Sequence, residues 1–284
     1  MITLARLLQE ETNRLHEAAV DAPRRSAELL AEHCFGWDRV GLILHAEEPL
    51  ADAQVAAFRA LTARRAQGEP VAYLRGSKEF YGRDFLVTPA TLIPRPETEH
   101  LVDKALELLP ETFLTFADMG TGSGCLAVTL AAERPHWRGV MLDISQAALN
   151  VACRNARAAG VAARLLALRG DMAAPPLAAA SLDLCVSNPP YIAEKEQADM
   201  SREVLAFEPA GALFSARDGL HHLTALAGQA AHLLRPGGLL LMEHGAAQGP
   251  AVHQMLHSMP CWHKIEICKD YAGLNRFCQA YKKM

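Results

Sequence analysis

A chain of 284 residues with 50% hydrophobic and 21% charged residues is ordinary for a globular protein and has room for one large domain plus a smaller one. The net charge is −4, and residues 1–75 carry nine arginines, no lysine and eleven acids, so no basic arm is present to gather phosphates and a direct nucleic-acid substrate is not expected. No apolar run reaches the roughly 18–20 residues of a membrane span, and the polar start, with Glu10 and Glu11, does not read as a signal peptide, so a soluble cytoplasmic protein is expected.

Residues 1–72 hold no convincing strand. Pro23 suits the first turn of a helix, with Ala27, Leu30, Ala31 and Cys34 at helical spacing behind it. Val55, Phe58 and Leu61 mark a second stripe, with Arg59, Arg64 and Arg65 off it. Gly36, Pro49 and Gly68 separate short helices, which predicts a small bundle. Residues 73–95 read as a connector: Phe80-Tyr81 and Phe85-Leu86-Val87 flank Gly82-Arg83-Asp84 as a hairpin. Pro89, Pro94 and Pro96 stiffen the entry to a helix whose first turn holds Glu97 and Glu99, with Leu101, Val102 and Ala105 on its apolar face. From about residue 96 to 284, strand and helix candidates alternate.

The first strand candidate, Thr115–Met119, runs into Gly120-Thr121-Gly122-Ser123-Gly124 and then a helix. Glycines there permit a tight turn and close approach of backbone to a ligand. The spacing is not the dinucleotide fingerprint, and no Lys-Ser/Thr closes a phosphate loop. The second strand ends in Asp143, an acid at an offset that suits the hydroxyls of a ribose. The third ends in Gly170-Asp171-Met172, and the fourth, Leu182–Ser187, in Asn188-Pro189-Pro190-Tyr191. Four successive strand ends could therefore line one crevice, which predicts a nucleoside site. Proline lacks an N–H, so the tetrapeptide offers acceptors with few competing donors beside a flat ring. It suits a planar group bearing NH2, whether an amide or a nucleobase. A helix from about Gly219 to Leu234, a turn at Arg235-Pro236-Gly237-Gly238 and a strand at Leu239–Glu243 follow. Two late strands, His263–Cys268 and Asn275–Tyr281, are close enough to pair antiparallel. The expected fold is α/β: a Rossmann-like sheet of seven mostly parallel strands with helices on both faces, behind the helical bundle. The seven cysteines show no Cys-x-x-Cys pair and read as free thiols. No metal site is expected, and the pair His221-His222 reads as helix surface.

The turn Asp118–Gly124, with Asp143, Asp171 and Asn188-Pro189-Pro190-Tyr191, resembles the motifs of class I S-adenosylmethionine methyltransferases acting on amino or amide nitrogen. Ile93-Pro94-Arg95-Pro96-Glu97-Thr98-Glu99, Phe207-Glu208-Pro209, Glu243-His244-Gly245 and Asp270-Tyr271-Ala272-Gly273 extend the resemblance, over nearly the whole chain, to the HemK/PrmC family. That resemblance implies methyl transfer from S-adenosylmethionine to the glutamine of the Gly-Gly-Gln loop in class 1 peptide-chain release factors, leaving S-adenosylhomocysteine. It implies substrate docking for residues 1–72 and catalysis for 96–284. Asp118, Gly120, Thr121, Gly122, Ser123, Gly124, Asp143, Asp171, Met172 and Asn188 would hold the cofactor. Asn188, Pro189, Pro190 and Tyr191 would hold the substrate amide, with Asn188, Pro189 and Tyr191 catalytic: Asn188 and the Pro189 carbonyl accept its two N–H groups, and Tyr191 packs on its plane. Many relatives carry an aromatic where this chain has Met172, and Arg95, Pro96 and Glu97 would help cover the cofactor. A sister class acting on a ribosomal-protein glutamine has a different connector, and a non-catalytic binding module would not be expected to keep every motif intact.

Overall fold

A computed structural model describes residues 1–284 apart from the side chain of Asp199. The chain forms two compact units, one of residues 1–77 with 201–207, the other of residues 78–200 with 208–284.

The first unit is helical. It comprises α1 (Leu4–Glu17), α2 (Pro23–Phe35), α3 (Arg39–Leu44), α4 (Asp52–Ala66) and α5 (Val71–Arg75). Thr3 caps α1 and Asp38 caps α3, each side chain accepting a backbone N–H of the first turn. Leu4, Leu7 and Leu15 of α1 meet Leu30 and Ala31 of α2 and Phe58 of α4 in one core. Segment 201–207 belongs here and gives this unit a further short helix, Arg202–Phe207. The sequence placed Arg65 off the apolar stripe; instead it is buried. Its guanidinium donates to Glu203 at 2.6 Å, to the Glu69 carbonyl at 3.0 Å and to Ser26 at 3.4 Å. A buried guanidinium is tolerated where its donors find acceptors, and one of them comes from a segment 138 residues away.

The second unit opens within the first strand of a hairpin, β1 (Ser77–Phe80) and β2 (Arg83–Leu86). Its turn is Tyr81-Gly82, both at positive φ, so Arg83 and Asp84 lie in the strand and not in the turn. A two-residue turn with both φ positive matches the twist of paired strands. There follow α6 (Glu99–Leu108), β3 (Leu114–Met119), α7 (Cys125–Glu133), β4 (Trp137–Asp143), α8 (Gln146–Ala158), β5 (Leu165–Arg169) and β6 (Leu182–Ser187). The chain then passes through α9, the helix Arg202–Phe207 of the first unit, and returns for α10 (His221–Leu233), β7 (Leu234–Glu243), α11 (Gly249–His257), β8 (Trp262–Lys269) and β9 (Asn275–Lys282).

Seven strands form one sheet in the order β5-β4-β3-β6-β7-β9-β8, with β9 antiparallel to both neighbours and the rest parallel. Strand alternation divides the core. Phe116, Leu184, Val186, Leu239 and Leu241 face α6, α7 and α8, while Ala117, Cys185, Leu240 and Met242 face α10 and α11. Arg235–Gly238, expected as a turn before the strand, is a bulge within β7: Leu234 pairs with Leu182, the register shifts, and Leu239 pairs with Leu184. The chain leaves β3 for β4 and β5 on one side, then returns to β6 on the other. That reversal opens a crevice at the carboxyl ends of β3 and β6, where open α/β sheets bind ligands.

Candidate active site

The crevice holds a cavity of about 300 Å³. Its floor is the turn after β3. Gly120, Gly122 and Gly124 all take positive φ, which L side chains rarely adopt. A Cβ at Gly120 would lie 3.0 Å from Met172 Cε, so that glycine also makes room for the methionine. The N–H groups of Gly120 and Thr121 both donate to the Leu142 carbonyl, which fixes the turn to the end of β4. Asp143, the last residue of β4, accepts from Gly122 N at 2.9 Å and from Ser145 N at 2.9 Å, one bond on each carboxylate oxygen. About half of its lone pairs stay available to a ligand.

Asp118, the last residue but one of β3, is buried. Oδ2 accepts from the Thr121 hydroxyl at 2.6 Å and from Ala127 N at 3.2 Å; Oδ1 is buried without a partner among the described residues. Burial pushes its carboxyl up to about 7, and the nearby Asp143 adds to the effect. A buried carboxylate with an orphaned oxygen at the wall of a cavity suits a cationic ligand group.

The tetrapeptide follows β6. The Ser187 hydroxyl donates to the Met119 carbonyl, binding the ends of β6 and β3 together. Asn188 and Pro190 line the cavity with Asp118, Gly120, Thr121, Gly122, Ser123, Asp143, Asp171 and Met172. Gly124, Pro189 and Tyr191 do not. Gly124 caps α7 beneath the turn, and a Cβ there would meet Ala152 at 3.0 Å. Tyr191 points its hydroxyl at Glu243, 3.1 Å away, and its ring packs with the α10 and α11 core. Burial and the Glu243 charge hold its phenol well above the usual range.

A relative of known name covers almost every residue. The release factor glutamine methyltransferase of Nitratidesulfovibrio vulgaris is 48% identical over 283 residues, 99% of this chain and 96% of that protein. The chain belongs to the release factor glutamine methyltransferase family. The protein of that name from Moorella thermoacetica is 43% identical, over 99% of each chain. Residues 6–76 match the model of the PrmC N-terminal domain, and residues 98–216 that of the methyltransferase small domain. A methyltransferase structure from Pyrococcus furiosus has the same fold, with a TM-score of 0.53 and 14% identity over 78% of this chain and 98% of that one.

Several residues of this family member's site escaped the sequence reading. Thr98 lines the cavity and accepts from Asn188 Nδ2 at 2.9 Å. Its own hydroxyl donates to Glu243 Oε2 at 2.7 Å. Glu243 ends β7, fully buried, and its carboxyl is pushed up to about 7 by burial. The same rule that singled out Asp118 and Asp143, an acid at or near the end of an apolar strand, also points to Glu243. Buried Glu208 accepts from Ile93 N at 3.1 Å and from Arg95 at 2.6 Å, so it holds the proline-rich wall of the cavity. Arg95 lines the cavity; Pro96 and Glu97 do not. His222, read as helix surface, also lines it, with Nδ1 2.8 Å from the Ser215 hydroxyl. Burial lowers its pKa. Asn155 of α8 takes Leu86 N at 2.8 Å and gives its amide to the carbonyls of Leu86 and Ser123, so one side chain ties the hairpin to the glycine turn.

Proposed function

We propose that the chain transfers a methyl group from S-adenosylmethionine to the side-chain amide nitrogen of the glutamine in the Gly-Gly-Gln loop of class 1 peptide-chain release factors. The products are N5-methylglutamine and S-adenosylhomocysteine. One observation carries the reading: the glycine turn after β3 and Asn188 after β6 line a single cavity. Names of relatives at 43–48% identity supply the substrate class.

The residues present fit the cofactor. Orphaned Asp118 Oδ1 would hold its ammonium, the remaining lone pairs of Asp143 its ribose hydroxyls, and Asp171 and Met172 would border its adenine. Bound S-adenosylmethionine supplies an electrophilic methyl on a cationic sulfonium. An amide nitrogen is a poor nucleophile because its lone pair is delocalised into the carbonyl. The protein must therefore align that nitrogen and exclude water, and such positioning contributes about 7–11 kcal/mol in favourable cases. Asn188 Oδ1, at the cavity, accepts an amide N–H group and favours the positive charge that develops on nitrogen. The displaced proton leaves to solvent. Tyr191 braces the loop through Glu243, and the helical unit receives the release factor in the cytoplasm.

The test is incubation of the purified protein with a release factor and labelled S-adenosylmethionine, followed by mass mapping of the modified residue. Label on the Gly-Gly-Gln glutamine is the expected result; label elsewhere, or none, overturns the assignment. Asn188→Ala should lower kcat by at least about a hundredfold, with cofactor affinity nearly unchanged by calorimetry.

A further inference from the structure

A hydroxyl carries one hydrogen and an ionised carboxylate carries none. Those two facts act on the row Asn188, Thr98, Glu243, Tyr191. Glu243 Oε2 is 2.7 Å from the Thr98 hydroxyl, and Oε1 is 3.1 Å from the Tyr191 hydroxyl. With Glu243 ionised, both hydroxyls give it their single hydrogens. Thr98 Oγ1 then faces Asn188 with lone pairs only, at 2.9 Å. Asn188 can meet it only through Nδ2, which leaves Oδ1 for the cavity that Asn188 lines.

We propose that Thr98 and Glu243 are positioning residues that set the direction of hydrogen bonding at Asn188, so that the cavity offers an acceptor and selects an incoming group that carries N–H. The inference rests on the methyl-transfer reading and adds to it the origin of amide selectivity. An asparagine is nearly symmetric in shape, so packing alone cannot tell its oxygen from its nitrogen. A buried charge two bonds along the row does. When Glu243 takes up a proton it can donate to Thr98, and the threonine hydrogen can turn to Asn188 Oδ1. The asparagine amide then flips, and the cavity presents a donor to a group that is itself a donor.

Glu243 is placed for such a change. Arg276 of β9 favours its ionised form and Glu97, ahead of α6, opposes it; the Thr98 and Tyr191 hydroxyls favour ionisation, the Cys125 thiol feels its charge, and the next residue, His244, is buried. Burial outweighs these and brings the carboxyl to about 7.

The experiment uses the full chain with a purified release factor. Thr98→Val keeps the shape and removes the hydroxyl; kcat should fall at least about tenfold, with cofactor affinity within about threefold of wild type. Thr98→Ser should restore kcat. At saturating substrates, wild-type kcat should decline as pH drops through about 7, and Glu243→Gln, which cannot titrate there, should lack that decline. Asp118 reaches a similar value, but its ionisation should register in the KM for cofactor. The Asn188 side-chain NH2 signals in NMR, identified by their absence in Asn188→Asp, should shift with pH in wild type and stay fixed in Glu243→Gln. Full activity of Thr98→Val, or Asn188 signals indifferent to pH in wild type, overturns the proposal. A wild-type protein that methylates no release factor overturns the functional reading instead, and the NMR titration still decides this one. It also decides if Thr98→Val fails to fold.

Discussion

Replacing Asp143 by asparagine tests the cofactor side of the cavity with little change of shape. Each carboxylate oxygen now accepts one backbone N–H, from Gly122 and from Ser145, both at 2.9 Å. Asparagine keeps one oxygen and puts an NH2 where the other stood. One of the two N–H groups then confronts a donor, and the surviving bond loses its charge. A hydrogen bond to a charged group contributes about 1.5–3 kcal/mol and a neutral one about 0.5–1.5. Two proposed ribose bonds are weakened in the same way. The summed loss in cofactor binding is about 2–4 kcal/mol, or roughly 30- to 1,000-fold in Kd. Titration calorimetry with S-adenosylmethionine reads it directly, and a far-ultraviolet melting curve checks that the variant is folded. At saturating cofactor, kcat should stay near wild type. A folded variant that binds the cofactor within about threefold of wild type would refute the role given to Asp143.

Gly219 has φ of +83°, and a Cβ there would lie 2.1 Å from the Tyr191 carbonyl oxygen and 2.4 Å from Gln248 Nε2. Gly219→Ala must therefore push the loop that carries Asn188, and a kcat loss above about tenfold with a destabilisation of about 1–3 kcal/mol is expected in turnover and urea assays. Asn155→Ala removes three hydrogen bonds joining Leu86 and Ser123; about 2–4 kcal/mol of stability should go with them, and an unchanged urea midpoint would contradict the tie. Asp118 and Glu243 both titrate near 7 when folded and near about 4 when unfolded. Between those values the folded state binds more protons than the unfolded state, so these two groups make stability fall as pH rises. The ligand-free protein should have a higher urea midpoint at about pH 6 than at about pH 8, and the difference should shrink in Asp118→Asn and Glu243→Gln.

What could be read from the sequence was local. Asp118, the glycine turn, Asp143 and Asn188 were found because each lies near the end of an apolar strand or directly after it, and strand ends gather at one edge of a parallel sheet. The seven strands and the antiparallel final pair followed from runs of apolar residues and the spacing between them. Partnerships across the chain were not legible. Thr98 lies 90 residues from Asn188 and 145 from Glu243, and no periodicity connects a threonine in a helix entry to an acid ending a strand. Arg65 looked solvent-exposed because its partner, Glu203, is far along the chain. Arg235–Gly238 was misread because proline and glycines mark a bulge as readily as a turn.

The segment 201–207 has a consequence for how such enzymes can be dissected. The polypeptide departs from the sheet-bearing unit after Met200, contributes α9 to the bundle, and comes back at Glu208, whose carboxylate grips Ile93 and Arg95. A cut at residue 77 would not excise a self-sufficient module. It would strand α9 without the helices it completes, take Arg65 from Glu203, and leave the orphaned piece tethered next to a residue that shapes the cavity wall. The bundle is accordingly not an appendage that evolution could swap by simple fusion at one end: any replacement would have to accept an insert threaded out from the middle of its neighbour.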